Sequence, residues 1–297
     1  MSATPSTTMP ERLEAPRGLF DGACSSCEKK VLVYGDSLTA GYYNGGTAFQ
    51  PYGLQLAKVL APELDVEVQC CGLIGLGVEE MAKRVADPRI EDTRHRTGRG
   101  IARILAEQGP FDLAIIMGGT NDLAQGTPLP KIMNALQVLH GACWEAGVPT
   151  VAMTVPPNHG VGRRTAYAKS WRDVNGQIAK WASDVGKTDS PARVVDVEKL
   201  VPFGAGERAL LWEKDGLHLS PAGSCQLGRG LASHVASLLR PSDQPPAIQR
   251  IETAIRFNTL QHMRSLLKWR KRMPFSMNGW PQKVRVGIGS RQAVRTI

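Results

Sequence analysis

Four short blocks along the 297-residue chain carry residue types that do chemistry. Gly35-Asp36-Ser37-Leu38-Thr39 offers a hydroxyl, and Gly72-Leu73-Ile74-Gly75 a glycine amide. Gly119-Thr120-Asn121-Asp122 offers a side-chain amide, and Asp215-Gly216-Leu217-His218 places a carboxylate three residues before an imidazole. A serine hydroxyl is a weak nucleophile until a neighbouring imidazole accepts its proton, which makes Ser37 and His218 a candidate pair. The imidazole needs a carboxylate on its other nitrogen to fix its tautomer, and Asp215 lies within one turn of chain. Attack on an acyl carbon creates an oxyanion, for which the Ser37 and Gly75 N–H groups and the Asn121 amide are donors of the right type. Glycine at 75 allows close approach to the main chain. The set fits acyl transfer through a covalent serine ester.

Such groups converge only if the chain brings them to one place, and the hydropathy pattern supplies the means. Val31–Tyr34, Asp65–Gln69, Leu113–Met117, Thr150–Val155 and Ala192–Val197 read as strands, with Val31–Tyr34 and Leu113–Met117 apolar throughout as buried strands are. Helices are expected after Pro51, around 77–86 and 96–108, over Pro130–Ala146, over Arg164–Val185 and over 221–239. Ile132, Met133, Leu136, Val138 and Leu139 are assigned to the core side of the 130–146 helix, and Trp171, Val174, Ile178 and Trp181 to that of the 164–185 helix. Strand–helix alternation of this kind predicts a five-stranded parallel sheet covered on both faces. Ligands of such sheets bind beyond the carboxyl ends of the strands, where the first three blocks fall.

These motifs resemble the SGNH (GDSL) hydrolase superfamily, named for its Ser, Gly, Asn and His. Ser37, Gly75, Asn121 and His218 stand in the family order, and Gly-Asp-Ser-Leu, Gly-x-Asn-Asp and Asp-x-x-His are intact over about residues 30–240. The resemblance implies a flavodoxin-like three-layer α/β/α fold. It also implies hydrolysis of carboxylic esters through an acyl-enzyme, without metal or cofactor. Ser37, Asp215 and His218 would be catalytic, with Ser37, Gly75 and Asn121 forming the oxyanion hole. The segment Thr39–Pro51 looks most like the arylesterase branch. Tyr42 and Trp212 are assigned to substrate binding, with aromatic core as the other reading of both. Cys70 stands where the second block of the family usually begins with Asn, and Gly75 is preferred to Gly77 on the Gly72-x-x-Gly75 spacing. Acyl transfer to another alcohol, or removal of acetyl groups from a carbohydrate, would use the same residues.

Other classes find little support. No run approaches the roughly 18 apolar residues of a membrane span. The first thirty residues lack a signal-peptide core, so the expected compartment is the cytoplasm. Residues 1–29 are expected to be a disordered leader, 30–240 the hydrolase domain and 241–297 a basic tail, partly helical. Six cysteines in so long a chain do not make a disulfide scaffold, and Cys24-Ser25-Ser26-Cys27 has no second pair to complete a metal site. There is no Gly-x-Ser-x-Gly elbow and no Gly-x-Gly-x-x-Gly.

The net charge of +9 is confined to the tail, whose 11 basic residues face 2 acidic ones, while residues 1–240 balance. Nucleic acid is therefore not an expected partner; a small-molecule ester is. Within the tail, residues 248–272 pattern as a basic amphipathic helix suited to an anionic membrane surface or a groove on a partner protein. Its bland alternative is a solvated appendage. A chain in which the fold serves only as a platform for that helix is the competing reading to an enzyme.

Overall fold

The computed structural model describes residues 29–162, 166–186 and 192–240. The chain divides into two units between Asp243 and Gln244, and the described residues all belong to the first. The leader, Cys24 and Cys27, and the segment 248–272 lie outside the described residues.

In chain order the strands are β1 (Lys29–Gly35), β2 (Tyr42–Tyr43), β3 (Ala48–Phe49), β4 (Val66–Gly72), β5 (Ile90–Glu91), β6 (Thr97–Gly98), β7 (Leu113–Met117), β8 (Thr150–Met153) and β9 (Ala192–Val195). The helices are α1 (Ser37–Ala40), α2 (Tyr52–Leu60), α3 (Val78–Lys83), α4 (Ile101–Gln108), α5 (Thr120–Ala124), α6 (Leu129–Glu145), α7 (Ala166–Val185), α8 (Val197–Leu200), α9 (Ala205–Leu211) and α10 (Pro221–Leu239). Five strands pair in parallel in the order β4-β1-β7-β8-β9. The order reverses direction between β1 and β7, the point at which open α/β sheets bind ligands.

Period-two alternation explains the two-sided core. Leu32 and Tyr34 of β1 and Ala114 and Ile116 of β7 face α3, α4, α6 and α7 in one apolar cluster. Val31, Val33, Leu113, Ile115 and Met117 point the other way, into a cluster shared with α2, α8 and α10. Strands buried on both faces need apolar residues at every position, which is why these runs are continuous rather than alternating. The layers are thus helix, sheet, helix, as expected.

Several expectations need correction. Residues 96–100 are not helical: Thr97 and Gly98 pair with Glu91 and Ile90 in the β5–β6 hairpin, and α4 begins only at Ile101. The Arg96 N–H donates to Asp92 Oδ1 at 3.0 Å, which closes a turn in place of a helical bond. Val138 lies on the outer face of α6, 39% exposed. Helices α5, α8 and α9 and both short hairpins were not anticipated, being too short for periodicity to show.

Candidate active site

Strand β1 ends at Gly35, and the chain turns at once into α1. Asp36, not Ser37, caps this helix, its Oδ1 accepting the Leu38 N–H at 3.0 Å. Ser37 is therefore free of capping duty, and its Oγ lies 3.0 Å from His218 Nε2. On the far side of the ring, His218 Nδ1 is 2.7 Å from Asp215 Oδ2. The other carboxylate oxygen, Oδ1, accepts the backbone N–H groups of Leu217 and His218 at 2.9 and 3.0 Å, so the Asp-x-x-His block closes on itself. A turn with Gly216 at φ 63° makes this possible. His159, following β8, donates its N–H to the Gly216 carbonyl and tethers the block to the sheet.

The electrostatics of the pair follow from these contacts. Partial burial works to raise the Asp215 pKa, but the hydrogen bonds from the His218 ring and from two N–H groups together outweigh it. The carboxyl is held below the ordinary carboxylate range.

Across the switch point, Asn121 reaches the loop that carries Gly75. Gly75 adopts φ 77°, a left-handed conformation, and a Cβ there would stand 2.5 Å from Thr93 Oγ1. The N–H groups of Ser37 and Gly75 make no hydrogen bond among the described residues. Asn121, in the first turn of α5, donates from Nδ2 to the Leu76 carbonyl at 2.9 Å, holding its amide against the same loop. Asp122 beside it accepts the Val78 and Glu79 N–H groups and caps α3 from a distant part of the chain. Gly77 has an ordinary φ of −81°, but a Cβ on it would come within 2.7 Å of Asp122 Oδ1. The two glycines thus have different reasons: Gly75 for its backbone angle, Gly77 for the room it leaves the carboxylate.

Two residues that sequence reasoning passed over complete this loop. Buried Asp92 accepts the Ile74 N–H on Oδ2, and Thr93 donates its hydroxyl to the Ile74 carbonyl. The β5–β6 turn therefore pins the peptide that leads into Gly75. No local pattern announces these contacts; only the Asp-Thr turn chemistry of residues 92–93 hints at a fixed corner.

The aromatic assignments separate. The Tyr42 ring lies 4.4 Å from the His218 ring, centroid to centroid, tilted by 39°, so it stands at the site. Trp212 does not stand open to a ligand. It is 3% exposed, donates to the Pro202 carbonyl at 2.9 Å and packs edge-on against Phe203, which makes it a core residue. Cys70, in the place of the usual Asn, packs its sulfur against Gly53 of α2, and burial pushes its thiol up to about 11.

Asp36 carries a titration of its own. Its Oδ2 is buried without a hydrogen-bond partner among the described residues. Burial, with Asp122 adding repulsion, raises the carboxyl to about 7 against the opposing bond from Leu38. The folded chain then keeps a proton that the unfolded chain releases between the ordinary carboxylate range and about pH 7. Stability from this group is highest at low pH, falls as pH rises through that window and is fully lost above it. Asp36→Asn retains an acceptor for Leu38 and cannot ionise. In urea unfolding the variant's stability relative to the parent should rise steadily from about pH 4 to about pH 8, by a few kcal/mol at most (about 1.4 per pKa unit). Parallel curves across that range would refute the assignment.

A model of the GDSL-like Lipase/Acylhydrolase family matches residues 33–224. The chain belongs to this family. Membership makes it an ester-bond hydrolase, and the matched span begins in β1 and ends within α10. An arylesterase of Vibrio mimicus is 27% identical over 162 residues, which are 53% of this chain and 69% of that protein. Among solved structures, the lipase/acylhydrolase from Enterococcus faecalis superposes with a TM-score of 0.52 at 21% identity, covering 73% of this chain and 100% of that one. The structure of TesA does so with a TM-score of 0.53 at 20% identity, covering 71% and 100%. At these identities the structural likenesses speak for the fold.

Proposed function

We propose that this GDSL hydrolase cleaves carboxylic esters by a serine acyl-enzyme route, with aryl and short acyl esters as its first substrates to test. Ser37 Oγ attacks the acyl carbon as His218 Nε2 takes its proton. Asp215 holds the ring with Nδ1 protonated and stabilises the imidazolium. The N–H groups of Ser37 and Gly75 and the Asn121 amide receive the oxyanion, a contribution of roughly 3 kcal/mol per donor. The alkoxide or phenoxide departs with the proton from His218, and water attacks the acyl-enzyme by the same route in reverse.

The observation that carries this reading is the unbroken relay from Ser37 Oγ through His218 to Asp215, at 3.0 and 2.7 Å. A p-nitrophenyl alkylphosphonate tests it. Ser37 Oγ should displace p-nitrophenolate from phosphorus, giving one added phosphonyl mass on the peptide that contains Ser37 and loss of esterase activity in step. Labelling of another residue, or full activity after complete labelling, would refute the mechanism.

A further inference from the structure

The β5–β6 turn sets two arginines beside the active site. Asp92 Oδ1 accepts the N–H groups of both Arg94 and Arg96, fixing the backbone from which their side chains leave. Arg94 Nη2 donates to the Tyr42 hydroxyl at 2.7 Å, and its guanidinium carbon is 5.6 Å from the centre of that ring. The Arg96 guanidinium lies 4.1 Å over the ring of Phe49. Tyr42 and Phe49 are paired across the β2–β3 hairpin, their rings edge to face, and Tyr42 is the ring that packs on His218. The Arg94 guanidinium therefore lies within about 10 Å of the imidazole, a distance comparable to the screening length of physiological salt.

Both arginines are exposed, and among the described residues neither meets a carboxylate in an ion pair. Three other arginines along the chain differ: Arg84 pairs with Glu80 and Asp87, and Arg99 and Arg103 share Glu107. Nearby acids are already engaged. Glu91 pairs with His95, Asp92 accepts three backbone N–H groups, and Glu213 accepts the Asn44 N–H. Two guanidiniums held on aromatic faces lose little side-chain freedom when they bind, and their planar forks match carboxylate, phosphate and sulfate oxygens.

We infer that Arg94 and Arg96 form an anion-binding subsite beside the active site, so that the preferred substrates are esters carrying a carboxylate, phosphate or sulfate near the scissile carbonyl. This rests on Ser37 and His218 being the reacting pair. The anion belongs either to the acyl chain or to the alcohol, and two pairs of esters distinguish these sources. For the alcohol side, kcat/KM is compared between 4-acetoxybenzoate and 4-acetoxybenzamide. For the acyl side, the comparison is between mono-4-nitrophenyl suberate and its methyl ester, with nitrophenol release as the readout.

In the 297-residue chain, the anionic-to-neutral ratio should fall about tenfold in one of the two pairs on Arg94→Gln/Arg96→Gln. Arg94→Lys should keep part of it. A merely structural effect, such as loosening Tyr42, would lower both members of a pair alike and leave the ratio unchanged. In the unaltered protein the same ratio should decline as salt rises from about 0.02 to 0.5 M, which reads the subsite even if a variant fails to fold. Ratios that respond neither to the substitutions nor to salt in both pairs would overturn the subsite alone. Failure of the parent to turn over any of the four esters would instead overturn the hydrolytic role of the Ser37–His218 pair, and the subsite with it.

Discussion

Ser37→Ala should lower kcat on any ester the parent cleaves by roughly 10⁴–10⁶-fold, as removal of a nucleophile that works as one unit with its base commonly does. Its fold should survive. Ser37 Oγ has His218 Nε2 as its hydrogen-bond partner, while Asp36 provides the helix cap. Loss of the hydroxyl removes one hydrogen bond, so the urea midpoint should move by no more than about 1 kcal/mol equivalent. Burst kinetics should vanish along with turnover, because no acyl-enzyme can accumulate. A variant that keeps more than about a hundredth of the parent rate, with unchanged unfolding, would mean that water is activated directly or that another residue attacks.

The prediction can be this specific because much of the site is written locally. Asp215 and His218 meet within one turn of chain, and Asp36-Ser37 follows β1 directly, so spacing and strand ends sufficed to bring them out. Leu113–Met117 is legible for the same reason that it is buried: a strand covered on both faces tolerates no polar residue. What the sequence hides is contact between distant segments. Asp92 bonds to Ile74, Asp122 to Val78, and Arg94 to Tyr42, each through a side chain whose type is common in loops. Residues 96–100 carry two glycines and a threonine, all poor helix formers, and a buried carboxylate upstream holds Arg96 in a turn; the helical signal belongs to Ile101–Gln108 alone. Trp212 deceives in another way. An aromatic residue a few positions before the histidine suits a pocket wall, yet its indole N–H finds the Pro202 carbonyl and its ring finds Phe203, so burial satisfies it completely. The distinction between Gly75 and Gly77 likewise depends on a backbone angle and on the position of Asp122, neither of which a spacing contains.

Asp215→Asn should lower kcat by about 10³–10⁴-fold near neutral pH, and the reason is the tautomer rather than the charge alone. An asparagine placed as Asp215 is keeps its oxygen for the Leu217 and His218 N–H groups, which fixes the amide nitrogen opposite His218 Nδ1. That nitrogen is a donor, so Nδ1 must become the acceptor and the ring proton moves to Nε2. The proton then points at Ser37 Oγ, where a base is required, and the serine cannot be deprotonated. Asp215→Ala imposes no such reversal: the side chain is 47% exposed, and solvent can accept the Nδ1 proton instead. Alanine should consequently be less impaired than asparagine despite being the larger deletion. KM should change little in both, since Asp215 acts through His218 and not on the substrate. An asparagine variant within about tenfold of the parent, or an alanine variant slower than it, would show that Asp215 serves only to shape the loop.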